Sequence, residues 1–182
     1  LLQVLSWPEV VLTTTADLTP VQEQAMALLE KALDELVATR EREGARLAEL
    51  IRTRCDQLEV QVEKARRRMP QVIESIRERL RARLEEVVQN LDEERLEQEM
   101  VLLAQRLDVD EEMDRLATHI REVKRVLELD EPVGRRLDFL MQELNREANT
   151  LGSKSADAET TAISVEMKVL IEQMREQVQN IE

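Results

Sequence analysis

The amino-acid sequence predicts a mainly α protein: a long antiparallel helical hairpin forming an arm, then a compact C-terminal helical bundle, with room for one short N-terminal strand. Three observations carry this. Only three Gly and four Pro punctuate 182 residues, whereas a strand-and-turn fold needs turn residues about every 8 to 12 positions. Apolar residues make up 42% of the chain but aromatics only 1%, so Leu, Val, Ile, Met and Ala must fill the core. Finally, those residues recur at steps of three and four, the spacing of one helix face.

The chain opens with LLQVLSWPEVVLTTTADLTP, in the middle of an apolar pattern and without Met, and reads as a fragment. Residues 1–19 are expected to be the remnant of an N-terminal domain. In them EVVLTTT (9–15) is the β-prone stretch, and Trp7 belongs to that domain's interface. Thr19 is a suitable N-cap and Pro20 suits a first helical turn. From there a seam runs through Leu29, Leu33, Leu36, Gly44, Leu47, Ile51, Cys55, Leu58, Val62, Ala65 and Met69, the near-heptad pattern of a helix packed along a partner. Pro70 disfavours helical geometry at Met69, which predicts a break there and a second helix to Leu91 folded back on the first. Residues 20–91 form the arm.

The C-terminal domain, 92–182, is expected to hold helices near 93–107, 110–129, 132–151 and 157–181. Asp108 and Asp110 stand where caps belong, Pro132 suits a helix start, and GSKSAD supplies the last turn. Met113, Leu116, Ile120, Val123 and Leu127 form one stripe, and Leu137, Leu140, Met141, Leu144, Ala148 and Leu151 another. Val165, Val169, Ile171, Met174 and Val178 give the final helix a face broad enough for two neighbours or a partner subunit. The one cysteine, Cys55, has no internal disulfide partner, which favours a reducing compartment. No apolar run approaches the roughly 18 residues of a membrane span.

Charge is uneven within a net −13. Lys64 to Arg83 holds eight basic residues against Glu74 and Glu78, whereas Leu91 to Glu112 holds nine acids against Arg95 and Arg106. A basic tip beside an acidic mouth would hold phosphate at the first and divalent cations at the second, although long solvated helices carry mixed charge in any case. His119 is the one histidine; Glu112 lies two turns before it and about 20° around the helix, on the same flank of the apolar stripe. Imidazole and carboxylate together suit a divalent metal or a proton relay, and equally a rim histidine capped by an acid. Glu143 with Glu147, and Asp138 with Gln142, are pairs one turn apart that suit either a metal or an ordinary ladder with Arg136 and Arg146. No P-loop, nucleophile elbow, cysteine-based zinc motif or dinucleotide fingerprint occurs.

Three stretches narrow the choice: DEERLEQEMVLLAQRLDVDEEMDRLATHI, VGRRLDFLMQELNREANTLGSKSADAE and VLIEQMREQVQNIE. Over residues 91–182 the chain resembles the C-terminal domain of the YicC/YloC family of bacterial endoribonucleases; the arm resembles the middle of that family, and the family's N-terminal region is expected to be absent. The resemblance implies a cytoplasmic, metal-dependent enzyme cleaving structured single-stranded or hairpin RNA, assembled as a homo-oligomer, a hexamer, with RNA in a cavity between subunits. It places the family motifs on Glu112, Arg115, His119, Arg135, Asp138, Gln142, Glu143, Arg146, Glu147 and Asn149. The implied catalytic residues are His119, Glu143 and Glu147. A divalent cation, Mg²⁺ or Mn²⁺, falls to Glu112, His119, Glu143 and Glu147, and RNA falls to Arg115, Arg135, Arg146, Arg77 and Arg81. Two other readings stand beside it: a non-catalytic RNA-binding adaptor, and a coiled-coil scaffold.

Overall fold

The computed structural model describes residues 17–87, 97–102 and 108–179. The strand expected at 9–15 and the interface role of Trp7 lie outside them. The described residues are helical throughout apart from short connections: α1 (Thr19–Val87), a brief helical stretch at 97–102, α2 (Asp110–Val126), α3 (Gly134–Lys154) and α4 (Ala158–Val178). The chain divides into two compact units, Leu1–Glu43 and Gly44–Glu182.

In the first unit, the start of α1 is fixed by Asp17, whose Oδ1 accepts the backbone N–H of Thr19 at 3.0 Å. Asp17 thus supplies the capping acceptor expected from Thr19, and hydrogen bonding from the Thr19 side chain, then from its backbone N–H, holds the carboxyl below the usual range. Leu18, Val21, Met26, Leu28, Leu29, Leu33, Leu36 and Val37 are all exposed.

In the second unit, Ile51, Cys55, Leu58, Val62, Ala65, Met69 and Val72 are buried. Their steps alternate between four and three, a strict heptad, and Ile76 continues the series at the edge of the core. The expected break at Pro70 does not occur: α1 runs through it without interruption. An interior proline costs roughly 3 kcal/mol through its missing N–H and ring clash. Met69 and Val72, each buried for about 1.5–3 kcal/mol, stay on the packed face only if the helix continues, so burial decides. The seam's partner is therefore not a folded-back segment after Pro70 but the C-terminal helices. Cys55 Sγ lies 3.7 Å from Met174 Sδ of α4, and burial pushes its thiol up to about 12.

Three sets of ion pairs hold α1 to those helices: Arg66 to Asp114 at 2.7 Å, Arg68 to Asp157 and Glu159 at 3.1 Å each, and Lys124 to Asp56 and Glu59 at 2.7 and 2.9 Å. Within the basic stretch of 64–83, these arginines serve as fasteners.

α3 buries its predicted stripe and α2 buries Met113, Leu116, Ile120 and Val123, but Val126 takes the last place and the predicted Leu127, at the C-cap, is half-buried; in α4 Ile163, Met167, Leu170, Ile171, Met174 and Val178 face the core. Val165 and Val169, assigned to that broad face from sequence, are instead exposed. Asp157 caps α4 by accepting the N–H of Thr160 at 3.0 Å. Where α3 meets α4, a Cβ added to Gly152 would stand 2.8 Å from Ser164 Oγ, so a larger residue there would force that hydroxyl to move.

Candidate functional site

The apolar stripes of α2 and α3 pack these helices side by side, and Lys154 at the end of α3 reaches Glu112 at the start of α2, so they run antiparallel. That direction sets which flanking residues meet. His119, one position before buried Ile120, comes opposite Glu143 and Glu147, and ligand atoms from all three lie within 4.8 Å of one another. Cations with bonds of about 2.1 Å hold neighbouring ligands roughly 3 Å apart, so modest side-chain rotation would close the set around an ion. One imidazole nitrogen and two carboxylates form a mixed donor set suited to borderline divalent ions such as Mn²⁺.

Glu147 is the unusual member. Leu140, Leu144 and Leu151 are buried at steps of four and seven, and Glu147 takes the intervening place where a fourth apolar residue would fit. It is 3% exposed. A carboxylate so far out of water needs a cation; among the described residues Arg115 supplies it, with its guanidinium 3.6 Å away. Arg115 is held more closely by Glu111, with Glu147 contributing less to the rise of its pKa. Glu147 thus shares Arg115 with Glu111, beside His119. Glu143 is more open to solvent, and its nearest cation is the exposed Arg146 at 3.8 Å.

Glu112, expected among the metal ligands, is not in this group. Its Oε1 accepts from Lys154 Nζ at 2.9 Å, and that amine also donates to the carbonyl of Asp108 at 2.7 Å. Two helical turns separate it from His119, so the cluster forms without it, and Oε2 is buried without a hydrogen-bond partner. Asp138 and Gln142 bond to each other at 2.8 Å, with Arg175 of α4 3.8 Å from Asp138, which is the ladder arrangement and not a ligand pair. Asn149 is exposed.

Among the expected RNA contacts, Arg115 lies within the cluster's ion pairs, while Arg135 and Arg146 are exposed on α3. Arg77 pairs with Glu97 of the 97–102 stretch, and Arg81 is exposed and also engaged. Arg136 is committed to Glu122 at 2.6 Å, and Arg125 with Arg136 holds that carboxyl down to about 2. Sequence reasoning missed Phe139, the one phenylalanine, which is exposed on α3. Its signal was available: an aromatic falling off the apolar stripe of its own helix.

Among the described residues no helix is long and apolar enough to cross a membrane. Compared with known proteins, residues 65–182 match the family model described as endoribonuclease YicC-like, C-terminal, and residues 1–49 match endoribonuclease YicC-like, N-terminal region. Part of that N-terminal region is therefore in this chain, against the expectation that it was absent. The chain is 50% identical to a protein of Haemophilus influenzae named probable endoribonuclease YicC, over all of this chain and 63% of that protein. It is 42% identical to a protein of the same name from Clostridioides difficile, over 85% of this chain and 54% of that protein. It thus spans less than two thirds of either relative's length.

Proposed function

The chain belongs to the YicC-like endoribonuclease family, and from that premise we propose that it cleaves structured single-stranded or hairpin RNA with the help of a divalent cation held by His119, Glu143 and Glu147. The observation that carries this reading is the convergence of those three side chains from two helices, one of them a buried carboxylate that shares Arg115 with Glu111. The donor set favours Mn²⁺ over Mg²⁺, because imidazole is a poor ligand for the harder ion.

When bound, such a cation would polarise a phosphate oxygen and acidify coordinated water. The chain's own residues supply the rest. Glu147, fixed by packing and Arg115, provides a rigid anionic anchor; Glu143 faces the open side; His119 is placed to ligate or to move a proton near neutral pH. Arg146 and Arg135 provide exposed guanidiniums for phosphate, whereas Arg115 is already committed to Glu111 and Glu147. RNA reaching Arg77 along the arm would have to displace Glu97. The homo-oligomer, taken as a hexamer with RNA in a cavity between subunits, and the cytoplasmic setting belong to the same proposal; exposed Val165 and Val169 offer apolar contact area for assembly.

The test is a labelled hairpin RNA incubated with the purified chain, and with a full-length relative in parallel, in Mn²⁺, Mg²⁺ or EDTA. Chelator-sensitive cutting is expected, reduced about 10²–10³-fold in His119→Ala and Glu143→Ala variants that still fold and assemble. Cutting at an unchanged rate in EDTA or in His119→Ala overturns the metal-site reading. Intact RNA with salt-sensitive binding points to an adaptor, and absence of binding points to a scaffold.

A further inference from the structure

On α3, the positions around Phe139 can be placed from 100° per residue. Arg135 and Arg146 fall within about 40° of it on one side, and Glu143 about 40° on the other, one turn further along the helix. Phe139 is 58% exposed, the Arg146 side chain is 69% exposed, and Arg135 is exposed and enters none of the ion pairs that occupy its neighbour Arg136. In a chain with 1% aromatic residues, the one phenylalanine is withheld from the core while Leu137, Leu140, Met141 and Leu144 on the same helix are buried. Exposing that ring forgoes the hydrophobic burial its neighbours gain.

We infer that Phe139 is a base-stacking platform for an unpaired nucleotide, with Arg135 and Arg146 on the flanking phosphates, next to the His119–Glu143–Glu147 cluster. The inference rests on the nuclease reading and adds a substrate feature to it: selection for RNA with a base free to leave its stack. A ring's π-face accepts any base, and two arginine positions roughly 16 Å apart along the helix axis suit a strand crossing the ring better than a compact apolar partner would. The platform is rigid, because the helix beneath it is fixed by buried residues on two other faces. Glu143, shared between this face and the cluster, ties stacking to the position of the phosphodiester.

The experiment measures binding by fluorescence anisotropy in EDTA, so that cutting does not intervene. It uses the whole chain, a labelled hairpin with an unpaired loop, and a blunt duplex of equal length. Phe139→Ala is expected to weaken loop binding roughly 5- to 150-fold and to leave duplex binding within about twofold, whereas Phe139→Trp keeps loop binding within about threefold of wild type. Equal loop affinity in Phe139→Ala and wild type overturns the inference, as does equal weakening on loop and duplex. A fall in oligomer mass with unchanged RNA affinity also overturns it, by assigning the ring to contact between copies. The two levels separate cleanly: a wild-type chain that cuts RNA with Mn²⁺ while Phe139→Ala cuts and binds equally well removes the stacking site alone. A wild-type chain that neither binds nor cuts removes the nuclease reading and the platform with it.

Discussion

Glu147 and Glu112 are two buried carboxylates on one helix–helix seam, 3% and 7% exposed, yet their surroundings differ. Glu112 has an ammonium at 2.9 Å that is itself fixed by a backbone carbonyl; Glu147 has a guanidinium at 3.6 Å that is held more firmly elsewhere, and an imidazole and a second carboxylate nearby. Burial alone therefore does not mark a ligand. What distinguishes the candidate site is the company Glu147 keeps, an imidazole and a second carboxylate whose ligand atoms lie within 4.8 Å, whereas Glu112 stands outside that group beside Lys154.

The largest expected effect tests that distinction directly. Glu147→Leu should lower Mn²⁺ affinity, measured by calorimetry, at least about 100-fold, while leaving the melting temperature unchanged or raised, because an apolar side chain suits the position better than a buried ion. Glu112→Leu should leave Mn²⁺ affinity within about threefold. Equal losses from both would erase the contrast.

Next in size, Lys154→Ala removes the cation beside Glu112 and should destabilise the fold by about 1–3 kcal/mol in denaturant titration, reduced from the fully buried case because Lys154 is one-third exposed. Adding Glu112→Gln should restore most of it, since no charge is then stranded. A double variant as unstable as the single one would mean that Lys154 acts through packing of its stem.

The smallest effect extends the contrast beyond the seam, to a carboxylate that is fully matched. Arg68, and then the Thr160 N–H, hold the Asp157 carboxyl down to about 2 from 3.8. A depressed folded pKa means that the stabilisation is complete above the unfolded value and is lost as pH falls from near 4 through about 2. Melting temperatures between pH 5 and pH 2 should therefore fall more steeply in wild type than in Arg68→Ala; parallel curves would show that the pair contributes nothing measurable.

The apolar stripes of α2 and α3 and the heptad from Ile51 to Met69 were legible because helical periodicity is a local property. The uninterrupted helix at Pro70 was not: the local rule was correct in sign but smaller than the burial of Met69 and Val72, which depends on residues a hundred positions away. The fasteners Arg66–Asp114 and Arg68–Asp157 were hidden for the same reason, so the basic stretch looked freer than it is. The grouping of His119 with Glu143 and Glu147 followed from family motifs, and its geometric reason, a carboxylate in a leucine's place at 147, can be seen in the spacing. Glu112 looked equivalent because the sequence gives no sign of which acid has a lysine opposite.

Pro70 has one more consequence. Lacking an N–H, it leaves the carbonyl of Arg66 without its usual helical donor, the point at which a rod would flex. Met69 and Val72 flank Pro70 and are both buried in the packed seam, and just before it Arg66 and Arg68 are anchored through Asp114 and Asp157. The gap in the backbone ladder is splinted from outside, so the one position where α1 would most readily become a hinge is denied the freedom to act as one.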